Sequence, residues 1–299
     1  MRIALVLPYG ARSDGFFPDT FAGQLAADAR AAGHHAEVVR VYYAGDRGAD
    51  DRAIAARLAA WLEDGGFDVV ALERMFDPVP IAAWKAGAPH RRVVLVVRGD
   101  SIEPTPEVDA IVGWRRGATR TGHTRRAVTV WQIADAFAAL IAALATHADP
   151  ATVPGVATVV DGAIAHATPL PPERGPRRAL APVLDQATIA IGAAPTIVRR
   201  TVFGNAGCPY AADPRALPMY RDVAWPADVE VAERGCAFCS LGGDYERRAD
   251  AEVIASLVAQ AAHIARHAPA TRALVLDDQH ALRWLAELLT AAAAAGVPP

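Results

Sequence analysis

Along the first half of the chain, short apolar runs alternate with amphipathic stretches. The runs RIALVLP (2–8), AEVVRVYY (36–43), FDVVALE (67–73), RRVVLVVRG (91–99) and VDAIVGW (108–114) have strand length and are rich in β-branched residues. Between them, PDTFAGQLAADARAAG (18–33) and DDRAIAARLAAWLEDGG (50–66) carry apolar residues at helical spacing. Each ends in glycine, at Gly33 and Gly66, where a helix C-terminus wants a left-handed residue. VWQIADAFAALIAALATH (130–147) reads as a long apolar helix. Five strands alternating with helices through short connections predict an α/β fold that opens with a doubly wound, parallel five-stranded sheet.

From 148 to 205 the pattern loosens. ATVVDGAIAHAT has two apolar runs around Asp161-Gly162, a two-residue hairpin turn. PLPPERGPRR (169–178) reads as a charged, proline-rich surface connection, and no chemistry is assigned to it. A second module follows over 206–299. ADVEVAE (227–233) reads as a strand, DAEVIASLVAQAAHIARHA (250–268) as an amphipathic helix, TRALVLDD (271–278) as a strand and ALRWLAELLTAAAAAG (281–296) as a helix. The expected organisation is therefore a domain at 1–147, a linker with a small β element at 148–205, and a further module at 206–299.

Composition narrows the partners. Hydrophobic residues make up 53% and charged residues 21%, a globular balance. A net charge of -3 leaves no basic footprint for nucleic acid or an anionic membrane. The apolar tract at 138–145 is too short to span a bilayer, and MRIALVLPYG lacks the regions of a signal peptide, so a cytoplasmic location is expected.

The candidate chemistry lies in three cysteines, Cys208, Cys236 and Cys239. An odd number closes no disulfide framework, and a CxxC pair in a reducing compartment points to metal or redox chemistry. Thiolates suit zinc or an iron–sulfur cluster. A zinc ribbon wants a second CxxC or two closely spaced histidines, which the chain lacks, although a distant histidine such as His280 would complete a Cys3His site. SLGGDY after Cys239 is a poor helix start, which disfavours a thioredoxin-like pair. His263 and His267 stand four apart on a helix, a spacing metals can use, without an acidic partner between them.

Cys236-Ala-Phe-Cys239, after a strand and before a helix, resembles the second half of the cluster loop of the radical S-adenosylmethionine (radical SAM) enzymes, Cys-x3-Cys-x-aromatic-Cys. That family's three thiolates hold a 4Fe-4S cluster whose open iron binds SAM. The resemblance implies that Cys236 and Cys239 are ligands and that Phe238 packs near SAM. The family's first cysteine would fall at Ala232, and Cys208, with 27 residues between it and Cys236, is the candidate for the missing ligand. Gly242 and Gly243 would let the backbone approach the cofactor, or form a plain turn. Asp277, at the end of the second strand, stands where the family receives the SAM amino group; a helix N-cap is the other reading.

A doubly wound domain before such a core is similar to the cobalamin-binding architecture of the superfamily, and this Rossmann-type resemblance admits cobalamin as a further cofactor. Neither a G-x-G-x-x-G fingerprint nor the Asp-x-His-x-x-Gly cobalamin signature follows the first strand. Gly10 and Gly99, with Asp14, Asp100 and Ser101, lie on loops after strands, where the switch-point rule puts ligands. Only 60 residues follow Cys239, room for the first β/α units of a partial barrel, so the chain resembles the front part of a longer enzyme. The implied activity is reductive cleavage of SAM to start radical chemistry, with methyl transfer suggested by the architecture, on a substrate the residues do not name. An electron donor is an implied partner. Two readings stay open beside it: a non-catalytic protein whose metal, zinc or Fe–S, props the second module, and a nucleotide-binding domain with incidental cysteines.

Overall fold

The computed structural model describes residues 1–10, 19–43, 48–72, 78–97, 104–113, 129–171, 173, 177–193, 195–204, 221–224, 248–277 and 284–297. Five parallel strands form its centre: β1 (Arg2–Gly10), β2 (His35–Tyr43), β3 (Val69–Leu72), β4 (Arg92–Val96) and β5 (Ala110–Val112), in the order β5-β4-β3-β1-β2. This is the flavodoxin-like doubly wound order. Three more strands extend the sheet to eight. β6 (Val156–Val160) and β7 (Ala163–Ala167) add antiparallel beyond β5, and β8 (Ala187–Ile189) adds parallel beyond β2.

Alternation along β1 explains the layers. Ile3, Leu5 and Leu7 face one core with α1 (Asp19–Ala31) and α4 (Val130–Ala145). Ala4 and Val6 face the other with α2 (Ala49–Gly65) and α3 (Pro78–Ala86). Successive side chains of a strand point to opposite faces, so a sheet covered on both sides needs the continuous apolar runs seen here. The expected glycine stops are present. At Gly33 (φ 85°) the amides of Gly33 and His34 donate to the carbonyls of Arg30 and Ala29, a Schellman ending. The Asp161-Gly162 hairpin also forms, both residues having positive φ (51° and 75°), the geometry of a tight primed turn.

A second, smaller sheet pairs β9 (Arg199–Phe203) with β10 (Ala273–Asp277) in parallel, joined through α5 (Asp250–His267) and followed by α6 (Leu285–Ala294). β9 lies inside the stretch read as a linker; the strand expected at 227–233 lies outside the described residues. β9 serves two cores. Val202 joins Val253, Leu257 and Ile264 of α5, while the Phe203 ring meets Phe21 of α1 edge-on at 6.0 Å. Gln260 of α5, buried, exchanges two hydrogen bonds with the Phe203 backbone, accepting from its amide at 2.9 Å and donating to its carbonyl at 3.0 Å. Among the described residues β10 pairs with β9 alone, leaving Leu274 and Val275 exposed. No described helix is long and apolar enough to cross a membrane.

Candidate functional site

Because β1 to β5 are parallel, their carboxyl ends share one edge of the sheet. The chain leaves β1 for α1 on one face and β3 for α3 on the other, so the switch point lies between these two strands, where open α/β sheets bind ligands. Gly10 ends β1 there, opposite Tyr43 of β2. Gly99, Asp14, Asp100 and Ser101 belong to segments that follow carboxyl ends and lie outside the described residues.

Beside that edge the two sheets are joined by a buried polar cluster that sequence reasoning did not find. Asp19, in the first turn of α1, pairs with Arg200 of β9; both are more than nine-tenths buried. The Thr20 hydroxyl donates to the Thr201 carbonyl at 2.8 Å. On β1 and β2, Tyr9 and Tyr42 are register partners with rings stacked 5.0 Å apart. Burial pushes the Asp19 carboxyl up, against the pull of the Arg200 and Arg40 guanidiniums. Burial, and then the Asp19 charge, pushes the Tyr9 hydroxyl well above its ordinary value. Burial likewise raises Tyr42 and lowers Arg200, the latter opposed by Asp19. The two guanidiniums favour the charged carboxylate, and the raised Tyr9 hydroxyl is neutral at neutral pH.

The proline-rich connection, expected at the surface, holds a second buried node among its described residues. Arg177 donates through Nε and Nη2 to the two carboxylate oxygens of Glu173, at 2.7 and 3.0 Å, and through Nη1 to the Gly204 carbonyl at 2.8 Å. Its guanidinium lies 4.1 Å from the centre of the Trp131 ring in α4, a cation–π contact. Arg248 approaches the same Glu173 at 3.4 Å and Glu252 at 3.7 Å. A cavity of about 240 Å³, lined by Arg177, Arg178, Gly204, Glu252 and Ser256 among others, opens at the end of β9. The signal in the sequence was the four-residue spacing of Glu173 and Arg177, hidden among prolines.

Cys208, Cys236, Cys239, Phe238, Gly242, Gly243 and His280 lie outside the described residues. All but His280 belong to the segment between β9 and α5. Asp277 is placed as the last residue of β10, opposite Phe203, and its carbonyl accepts from the Gly204 amide at 3.2 Å. The ends of β9 and β10, and the start of the cysteine segment, therefore adjoin. His263 donates Nε2–H to the Pro182 carbonyl at 2.9 Å and its ring lies 4.5 Å from that of His267, an arrangement that ties it to the connection. Among the described residues no group of three or more His, Cys, Asp or Glu could hold a metal.

No protein-family model and no curated protein matches the sequence. Among solved structures, the fold is similar to that of TsrM from Kitasatospora setae, a radical S-adenosylmethionine methyltransferase solved with tryptophan substrate and the SAM analogue aza-SAM bound. The likeness has a TM-score of 0.51 at 13% identity and covers 97% of this chain. It covers 50% of TsrM, so the chain spans about half the length of that enzyme. At this identity the likeness is one of fold alone.

Proposed function

We propose that the chain is an iron–sulfur protein of radical SAM type, in which Cys208, Cys236 and Cys239 hold a 4Fe-4S cluster open to SAM. The observation that carries this reading is the position of the cysteine segment: it leaves the carboxyl end of β9 and enters α5, the helix that crosses to the parallel strand β10. Ligands of parallel α/β units bind at carboxyl ends, and thiolates are the donors an iron–sulfur cluster takes. Fold likeness to TsrM over nearly the whole chain adds to it. Such a cluster, when bound, supplies the electron that cleaves a carbon–sulfur bond of SAM.

The chain's own residues have narrower tasks. Three thiolates would leave one iron without a protein ligand, and Phe238 would give an apolar wall to the adenine side. Gly242 and Gly243 allow close backbone approach. Asp277, at the end of β10, would accept from the SAM ammonium. At the switch-point edge of the first sheet, Gly10 and Gly99 would leave room for cobalamin, which would make methyl transfer the reaction. An electron donor is the required partner, and the location is the cytoplasm.

A second reading is favoured by Ala232, which stands where the radical SAM loop has its first cysteine. In that reading the metal is structural, zinc or a closed Fe–S cluster, and no SAM binds. Anaerobic reconstitution followed by iron, sulfide and zinc analysis separates them. Close to four irons and four sulfides per chain, with SAM retained on gel filtration, is the expected result; zinc at one per chain, or a cluster that ignores SAM, would overturn it.

A further inference from the structure

The cavity at the end of β9 brings opposite charges to an apolar wall. It lies between the proline-rich connection and α5 and holds about 240 Å³. At about 30 Å³ per water that is room for roughly eight waters, the size of a small amino acid. Val253, Ala255 and Ala259 of α5, with Ala179 of the connection, supply the apolar side. Of the charged groups, Arg177 is already taken up by Glu173 and the Gly204 carbonyl. Arg178, which also lines the cavity, is not. Its Nη2 donates to Asp28 at 2.8 Å and Asp135 at 3.3 Å, while Nη1, enclosed, has no hydrogen-bond partner. A buried donor left unmade costs free energy, so such a group calls for an acceptor. Glu252, in the first turn of α5, stands 3.7 Å from Arg248, beyond hydrogen-bond length, and its side chain is 43% exposed. The Ser256 hydroxyl, one turn further, accepts from Gln260 at 3.2 Å, which leaves its own proton for another acceptor.

We propose that this cavity binds a small free α-amino acid with an apolar side chain. The ligand's carboxylate takes the protons of Arg178 Nη1 and the Ser256 hydroxyl, its ammonium meets Glu252, and its side chain lies against Val253, Ala255 and Ala259. A bare anion would stand beside the Glu252 carboxylate without a cation to offset it. A bare cation would leave the Arg178 donor unmade. The zwitterion answers both, and a lining of apolar side chains with a few placed polar groups is the usual form of a small-molecule site. The site needs no metal.

The test is isothermal titration calorimetry at pH 7 on the full chain, reduced and metal-free, with L-alanine, L-valine and L-methionine as probes. At least one is expected to bind saturably, at one per chain. The tightest is then compared with the amine that lacks its carboxylate and the acid that lacks its ammonium. Each analogue is expected to bind at least about tenfold more weakly, because it leaves a charged group of the site unpaired. Glu252→Gln, which removes the partner of the ammonium, is expected to weaken the amino acid by about tenfold or more, and Ser256→Ala by about threefold. Glu287→Gln, on α6 and outside the cavity, is expected to keep the wild-type affinity. Should Glu252→Gln lose its far-UV circular dichroism, Ser256→Ala takes its place. The proposal would be overturned by a lack of saturable binding for all three probes, or by either analogue binding as tightly as the amino acid. A wild-type affinity in folded Glu252→Gln, or in Ser256→Ala where that variant replaces it, or an equal loss in Glu287→Gln, would overturn it as well. If reconstituted protein takes no cluster, the radical SAM reading fails while the amino-acid site stands or falls by the titration.

Discussion

Asp19→Asn is expected to cost more stability than Arg200→Met, although the two residues form one ion pair. The reason is the third charge. The Arg40 guanidinium also acts on Asp19, so the cluster holds two cations and one anion. After Asp19→Asn, two guanidiniums remain without a carboxylate among the described residues, and breaking a buried pair in this way costs about 3–5 kcal/mol. Loss of a negative charge from the first turn of α1 adds roughly 0.3–1 kcal/mol. After Arg200→Met, Asp19 keeps the attraction of Arg40, and the loss is closer to that of one unsatisfied buried group, about 1–3 kcal/mol. The double variant removes both members and should be more stable than Asp19→Asn alone, because no pair is left half broken. Urea unfolding at pH 7, followed by far-UV circular dichroism, measures all three. An Arg200→Met loss equal to or larger than that of Asp19→Asn would refute the charge accounting, and single losses below about 0.5 kcal/mol would refute the burial of the pair.

Two further outcomes follow from the fold. Gly113→Ala, just after β5, should cost about 1–3 kcal/mol in the same assay, because Gly113 has φ 86° and an added Cβ would meet the Val97 carbonyl at 2.2 Å; a neutral result would contradict that turn. Asp28 has its carboxyl raised by burial, with Arg178 and Gln24 pulling the other way. The unfolded chain therefore ionises this group first, and its contribution to stability falls as pH rises from the ordinary aspartate range through the raised native value. Urea midpoints against pH should show that decline in wild type and a flatter curve in Asp28→Asn; identical slopes would contradict the assignment.

Much of the first domain was legible because its signals are local. Continuous apolar runs made β1 to β5 visible, Gly33 and Gly66 marked the ends of α1 and α2 through backbone freedom that other residues lack, and Asp161-Gly162 marked the β6–β7 turn. α3 was missed, being nine residues long with Pro78 and Pro80 at its start, where proline is tolerated but reads as a loop. β8 is three residues long, too short for a period. β9 begins Arg199-Arg200, and nothing local shows that Arg200 will be neutralised by a carboxylate 181 positions earlier in the chain. Glu173 is the same case: its partner Arg248 stands 75 positions further along the sequence. The cysteines stand out in the sequence by residue type and spacing, and they lie outside the described residues.

The proposed cluster keeps one iron open for SAM and takes Cys208 as its third ligand. The most direct measurement is the electron paramagnetic resonance spectrum of anaerobically reconstituted, reduced protein, recorded with and without SAM, in wild type and in Cys208→Ala. The account predicts a reduced 4Fe-4S signal whose g values shift when SAM is added, and loss of that signal in the variant. A spectrum unchanged by SAM, or a wild-type signal that survives in Cys208→Ala, would contradict it.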